Sequence, residues 1–230
     1  MGDYINHLLF GVYPYVAIGV MVIGSILRYD RDQYTWKASS SQLIDDQGMR
    51  VGSNLFHIGI LAIFLGHAVG LLTPTAVYSQ VISVEAKQLV AMIAGGIFGL
   101  TCLAGLLILV RRRLFTPRIA ATSTAADNLV LVMLLAQVIL GLATIPVSAM
   151  HLDGSSMLNL SHWAQYIVTL QPGAADFVRD ENVIFKLHIL LGLTILLVFP
   201  FTRLVHVFSG ILLPFKYLWR TGYQVVRKRA

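Results

Sequence analysis

Apolar blocks of about twenty residues or more recur five times along this chain, each long enough for a helix to cross the hydrocarbon core of a bilayer. Few folds accommodate that pattern. Within the blocks the helical hydrophobic period is weak, as expected where one face meets lipid and the other meets protein. The sequence therefore predicts an all-α membrane protein, with five transmembrane helices in one bundle at about residues 4–27, 51–73, 88–110, 125–149 and 183–207. Residues 1–230 read as a single membrane domain, with 208–230 as a cytoplasmic tail. The first block begins almost at Met1 without a basic leader or a small-residue cleavage site, so it reads as a permanent span.

Composition excludes the main alternatives. Only 12% of the 230 residues are charged and 57% are hydrophobic, too little charge to cover a soluble domain of this length. The net charge of +6 would suit nucleic acid if it formed a patch, but the basic residues fall in short runs between the apolar blocks. Four lie in 28–50 (Arg28, Arg31, Lys37, Arg50), four in 111–118, and six from Arg203 onward. Fourteen of the seventeen Lys and Arg thus share one side, which the positive-inside rule makes the cytoplasm. The N-terminus is then outside (periplasmic) and the C-terminus cytoplasmic, with no nucleic-acid partner expected. The outer connection 150–182 contains SSMLNLSHWAQYIVTLQ, predicted as an amphipathic helix capping the bundle, with Trp163 and Tyr166 at headgroup level.

Histidines carry the chemistry. His57 and His67 lie on the second span, His188 and His206 on the fifth. An intramembrane imidazole is rare and marks either packing or function. The two spans run antiparallel, so depth allows one pairing: His67 with His188 toward the outside, His57 with His206 toward the inside. Along continuous helices the separations correspond to about 15 Å and about 27 Å of rise, a mismatch left to helix tilt or to an irregularity at Pro200. Five full turns separate His188 from His206, placing them on one face of a straight helix, and Gly59, Gly66 and Gly70 share a face of span two, forming a groove for a flat ring. The lone Cys102 excludes an intrachain disulfide, a Cys-ligated cluster and a CxxCH attachment. Any haem would be b-type, and two imidazoles per iron suit electron transfer better than oxygen chemistry. His7, His151 and His162 read as outer-surface residues, Gly95, Gly96 and Gly99 as a close helix contact, Cys102 as core filler and Gln137 as a hydrogen-bonding strut.

Taken in order, LRYDRDQYTWKASSSQLID, SNLFHIGILAIFLGHAVGLLTP, EAKQLVAMIAGG, RRRLFTPR, TIPVSAMHLDGS and FPFTRLVHVFS resemble the gamma subunit of the membrane-bound respiratory nitrate reductases, nearly end to end; the segment after Ser209 matches less well. The resemblance implies two bis-histidine haem b groups, the outer held by His67 and His188 and the inner by His57 and His206. It also implies a quinol site at Lys87, beside Gly66, where a lysine would otherwise read as snorkelling to headgroups. It further implies electron delivery to a cytoplasmic iron–sulfur beta subunit and a molybdenum-containing alpha subunit that reduces nitrate to nitrite, in a bacterial inner membrane. The inner arginines (Arg111, Arg112, Arg113, Arg118, Arg203) read as topology signals or as anchors for propionates, anionic lipid or partners. Two alternatives stand beside this one. A related cytochrome b of a heterodisulfide or sulfite-type reductase would share the histidines, and a non-redox metal transporter would want carboxylates or thiols converging near the midplane.

Overall fold

The computed structural model describes residues 2–36, 41 and 47–208, so parts of the 28–50 connection and all of the tail after Phe208 lie outside the described residues. Five helices long and apolar enough to cross a membrane run Gly2–Arg31, Met49–Leu72, Val84–Phe115, Ala125–Ala149 and Val183–Phe201, here spans one to five. No strand occurs among the described residues. Span three overruns its predicted limits at both ends. Glu85 through Lys87 and Arg111 through Arg113 are good helix formers that remain helical past the apolar block, and Ser83 caps the start by accepting the Ala86 N–H. Span four begins with a capping box between Thr124 and Asp127.

Spans two and three approach backbone to backbone through glycine. A Cβ on Gly59 would sit 2.6 Å from Cys102 N, and one on Gly105 would meet the Phe56 backbone. Cys102 and Leu106 are fully buried in this seam, with Val138 of span four closing the cluster. The glycine groove predicted on span two is thus corrected at Gly59, which packs on span three, whereas added Cβ atoms at Gly66 and Gly70 meet nothing within 4 Å. Span three therefore hugs span two near Gly59 and leaves open space on the same face toward His67. Gly99 makes the close contact expected of it, against Leu142 of span four, while Gly95 faces open space.

The helix Ser155–Val168 lies across one end of the bundle, as its amphipathic sequence predicts. Gln165 donates to the carbonyls of Leu71 and Thr73, where span two ends, and Trp163 Nε1 donates to Phe10 O at 2.9 Å. Phe10 lies in a π-helical stretch, Leu8–Val12, of span one. Trp163 and Tyr166 are half-buried, Trp163 by its bond to span one and Tyr166 edge-on to Phe177 of the 3-10 turn Ala174–Val178.

Span five departs most from its prediction. Its α-helix ends at Val198, because Pro200 lacks an N–H and its ring opposes the carbonyl four residues back. A 3-10 turn, Phe199–Phe201, an extended Thr202 (φ −125°, ψ 179°) and a second 3-10 turn, Arg203–Val205, lead to His206. The straight-helix argument that set His188 and His206 on one face therefore does not apply.

Candidate functional site

The four span histidines meet in two pairs. The ring centres of His67 and His188 are 6.1 Å apart, and those of His57 and His206 are 6.5 Å apart. The pairing expected from antiparallel depth is the one observed. The interrupted end of span five absorbs the difference in rise, so both pairs form although their sequence separations differ.

Hydrogen bonds settle which nitrogen is free in three of the four rings. His57 Nδ1 lies 2.7 Å from Ser53 O, His67 Nδ1 2.9 Å from Ile63 O, and His206 Nδ1 2.6 Å from Arg203 O. A carbonyl only accepts, so each Nδ1 carries the proton and each Nε2 keeps its lone pair. That is the tautomer a metal-binding imidazole uses, with the other nitrogen held by a backbone acceptor. His188 differs: its Nδ1 is buried and has no hydrogen-bond partner among the described residues. Its ring packs toward Gly141, where a Cβ would lie 3.0 Å from Cε1, and Gln137 Nε2 donates to the His188 carbonyl at 3.1 Å. Gln137 is thus the strut expected of it, beside the histidine.

Two imidazoles bonded to one metal at about 2 Å each hold their ring centres about 6 Å apart. Both pairs meet that spacing, and the donor set (two neutral imidazoles, no thiolate, no carboxylate) suits haem iron. No group of three or more His, Cys, Asp or Glu able to hold a metal ion occurs among the described residues.

A cavity of about 250 Å³ adjoins the His57–His206 pair, lined in part by Ser53, Phe56, Arg112, Arg113, Asp127 and Arg203. Asp127 bridges two of the arginines, 2.7 Å from Arg203 Nε and 3.4 Å from Arg113 Nη1. Arg112 is buried and donates to Ser41 Oγ, Ser41 O and Gln47 O. Arg111 and Arg118 are exposed. Three arginines against one carboxylate leave this cavity with a surplus positive charge. Asp127 escaped the sequence reading as a site residue, although Thr124-x-x-Asp127 is a legible capping signature.

At the opposite end, the Lys87 ammonium lies 3.6 Å from the centre of the Tyr78 ring. Its Nζ is buried and has no hydrogen-bond partner among the described residues. Next to it, Gln88 is buried and donates to the carbonyls of Ser148 and His151, tying the start of span three to the end of span four. Tyr78, on the short helix Thr75–Tyr78, carried no signal in the sequence. Gly66 faces open space one position before His67.

Antiparallel apolar spans holding two imidazole pairs at different depths define a multi-pass helical membrane protein of the electron-transfer kind. The chain belongs to the nitrate reductase gamma subunit family, whose sequence profile matches residues 6–229. It is 51% identical to the respiratory nitrate reductase 1 gamma chain of Escherichia coli (strain K12) over 227 residues, covering 99% of each chain. It is likewise 51% identical to the respiratory nitrate reductase 2 gamma chain of that strain, over the full length of both. With the nitrate reductase gamma chain of Bacillus subtilis (strain 168) it shares 38% identity over 229 residues, covering 98% of this chain and 99% of the relative. It is a multi-pass protein of the bacterial inner membrane and one chain of a multi-subunit nitrate reductase.

Proposed function

We propose that this chain is the quinol-oxidising diheme cytochrome b subunit of its complex, with residues 1–230 acting as one membrane domain. His67 and His188 hold one haem b near the periplasmic face, and His57 and His206 hold the other near the cytoplasm. The observation that carries the reading is the pair of ring separations, 6.1 and 6.5 Å, with Nε2 left free by the Nδ1 bonds in three of the four rings. Sidedness follows from the basic runs, which put the His57 end inside.

Bound haem iron supplies one-electron transfer. The chain's own residues do the rest. The buried Lys87 ammonium, which has no hydrogen-bond partner among the described residues, offers a hydrogen bond and a positive charge that stabilise a quinol oxygen as its proton leaves, and both act most strongly where water is scarce. Tyr78 holds that ammonium in place by its ring face. The open side of Gly66 leaves room for a flat ring beside His67. At the other end, Arg112, Arg113 and Arg203, only partly neutralised by Asp127, suit the two carboxylates of a haem. Electrons leave toward a cytoplasmic iron–sulfur beta subunit and a molybdenum-containing alpha subunit, where nitrate becomes nitrite. Full-length identity to nitrate reductase chains favours this over a heterodisulfide or sulfite-type reductase subunit, and the separation of the histidines into two pairs disfavours a metal transporter.

A reduced-minus-oxidised optical spectrum of the purified complex tests the proposal. Two low-spin b-type signals are expected, with His67→Ala and His57→Ala each removing a different one. A colourless preparation, or two signals that survive both substitutions, rejects it.

A further inference from the structure

We propose that Arg28 is a positioning residue for the His57–His206 pair, acting through the break in span five. The inference rests on the reading that this pair holds a haem.

Arg28 lies in the last turn of span one and is half-buried. Its Nη1 donates to Pro200 O and to Thr202 O, each at 2.7 Å. Both carbonyls lie past the end of the α-helix of span five at Val198, Pro200 O within the first 3-10 turn and Thr202 O at the start of the second. One turn earlier on the same face of span one, Gly24 receives the proline ring, and a Cβ there would come within 2.8 Å of Pro200 Cγ. Gly24 thus admits the break and Arg28 fastens it. Beyond the break the path to the imidazole is short and fully bonded. Thr202 Oγ1 accepts the Leu204 N–H, and His206 Nδ1 bonds Arg203 O three residues back. Thr202 is buried, so the segment has little freedom to relax.

The same guanidinium turns outward to Thr35, with Nη2 3.0 Å from its carbonyl and Nε 3.3 Å from its hydroxyl. Four contacts from one planar fork are beyond a lysine, whose ammonium is a point donor. An arginine serving only as a topology charge would hold no such set of mutually compatible bonds to the break.

The test uses membranes carrying the complete assembled complex, with each haem followed by redox titration and by its low-spin resonance signal. Arg28→Met is expected to alter the resonance of the His57–His206 haem and to change its reduction equilibrium about threefold or more, about 30 mV at 59 mV per tenfold for one electron. The His67–His188 haem stays at its wild-type values. Arg28→Lys gives a smaller change in the same haem, and Thr35→Val, which spares the bonds to Pro200 and Thr202, changes neither. Gly24→Ala crowds Pro200 independently and is expected to affect the same haem, so it carries the test should Arg28→Met not assemble. Wild-type signatures for both haems in Arg28→Met or Gly24→Ala overturn the proposal, as does an equal change in the two haems. His57→Ala separates the two failures. If it removes one signal while the Arg28 and Gly24 variants change nothing, only the role of Arg28 falls; if it removes none, the ligand reading itself falls.

Discussion

The ammonium of Lys87 rests 3.6 Å from the centre of the Tyr78 ring, a cation held by an aromatic face at the end of the bundle nearer His67. Buried cation–π contacts of this kind contribute about 1–2 kcal/mol, enough to fix where a long, flexible side chain spends its time. Substituting Lys87 by Ala should leave both haem spectra intact and slow quinol oxidation roughly a hundredfold, the usual cost of removing one preplaced donor. Steady-state turnover with a soluble quinol analogue measures this, and wild-type turnover would refute the assignment. Tyr78→Leu should give a milder loss, roughly tenfold, corresponding to the strength of the contact.

Two glycines of span two should answer differently to one added methyl group. Gly59→Ala forces a Cβ onto the Cys102 backbone and should destabilise the bundle by about 1–3 kcal/mol, read as earlier haem release on heating. Gly66→Ala meets open space and should melt like the wild type, yet raise the quinol KM by narrowing the proposed pocket. Equal melting of the two variants would mean that the seam between spans two and three is looser than its geometry implies.

Replacing Asp127 with Asn removes the only carboxylate that lines the cavity at the His57 end among the described residues, and breaks ion pairs to Arg113 and Arg203. The cavity becomes more positive by about one charge. An electron arriving there is then better stabilised, so the potential of the inner haem should rise, on the order of tens of millivolts. The outer haem should move far less. A fall in the inner potential on redox titration would contradict this.

The number of spans, their approximate limits and the histidine pairing were legible in the sequence because each follows from strong one-dimensional signals. Apolar length fixes a span, and antiparallel order fixes which histidine meets which. The cap helix was legible for the same reason, although the bond from the Trp163 N–H to the Phe10 carbonyl, 153 residues away in sequence, was not. The end of span five was not. Pro200 announced an irregularity, but whether a proline kinks a helix or ends it depends on what the chain beyond it meets, and Arg28, which bonds the Pro200 carbonyl, is 172 residues away in sequence. Gly59 was misread because three glycines on one face reveal a narrow surface without saying whether helix or ligand fills it. Tyr78 and Asp127 act through contacts with distant or basic neighbours that no local pattern encodes.

Because the α-helix of span five stops at Val198, the two histidines downstream of span four ride on mechanically separate supports. His188 rides on the rod of span five, whereas His206 follows a segment bonded to span one through Arg28. Their partners His57 and His67 share one unbroken helix, Met49–Leu72, which sets the distance between the two pairs. The break thus lets span five adapt its length to a ruler that span two provides, so the electron's jump is measured out by a single continuous helix.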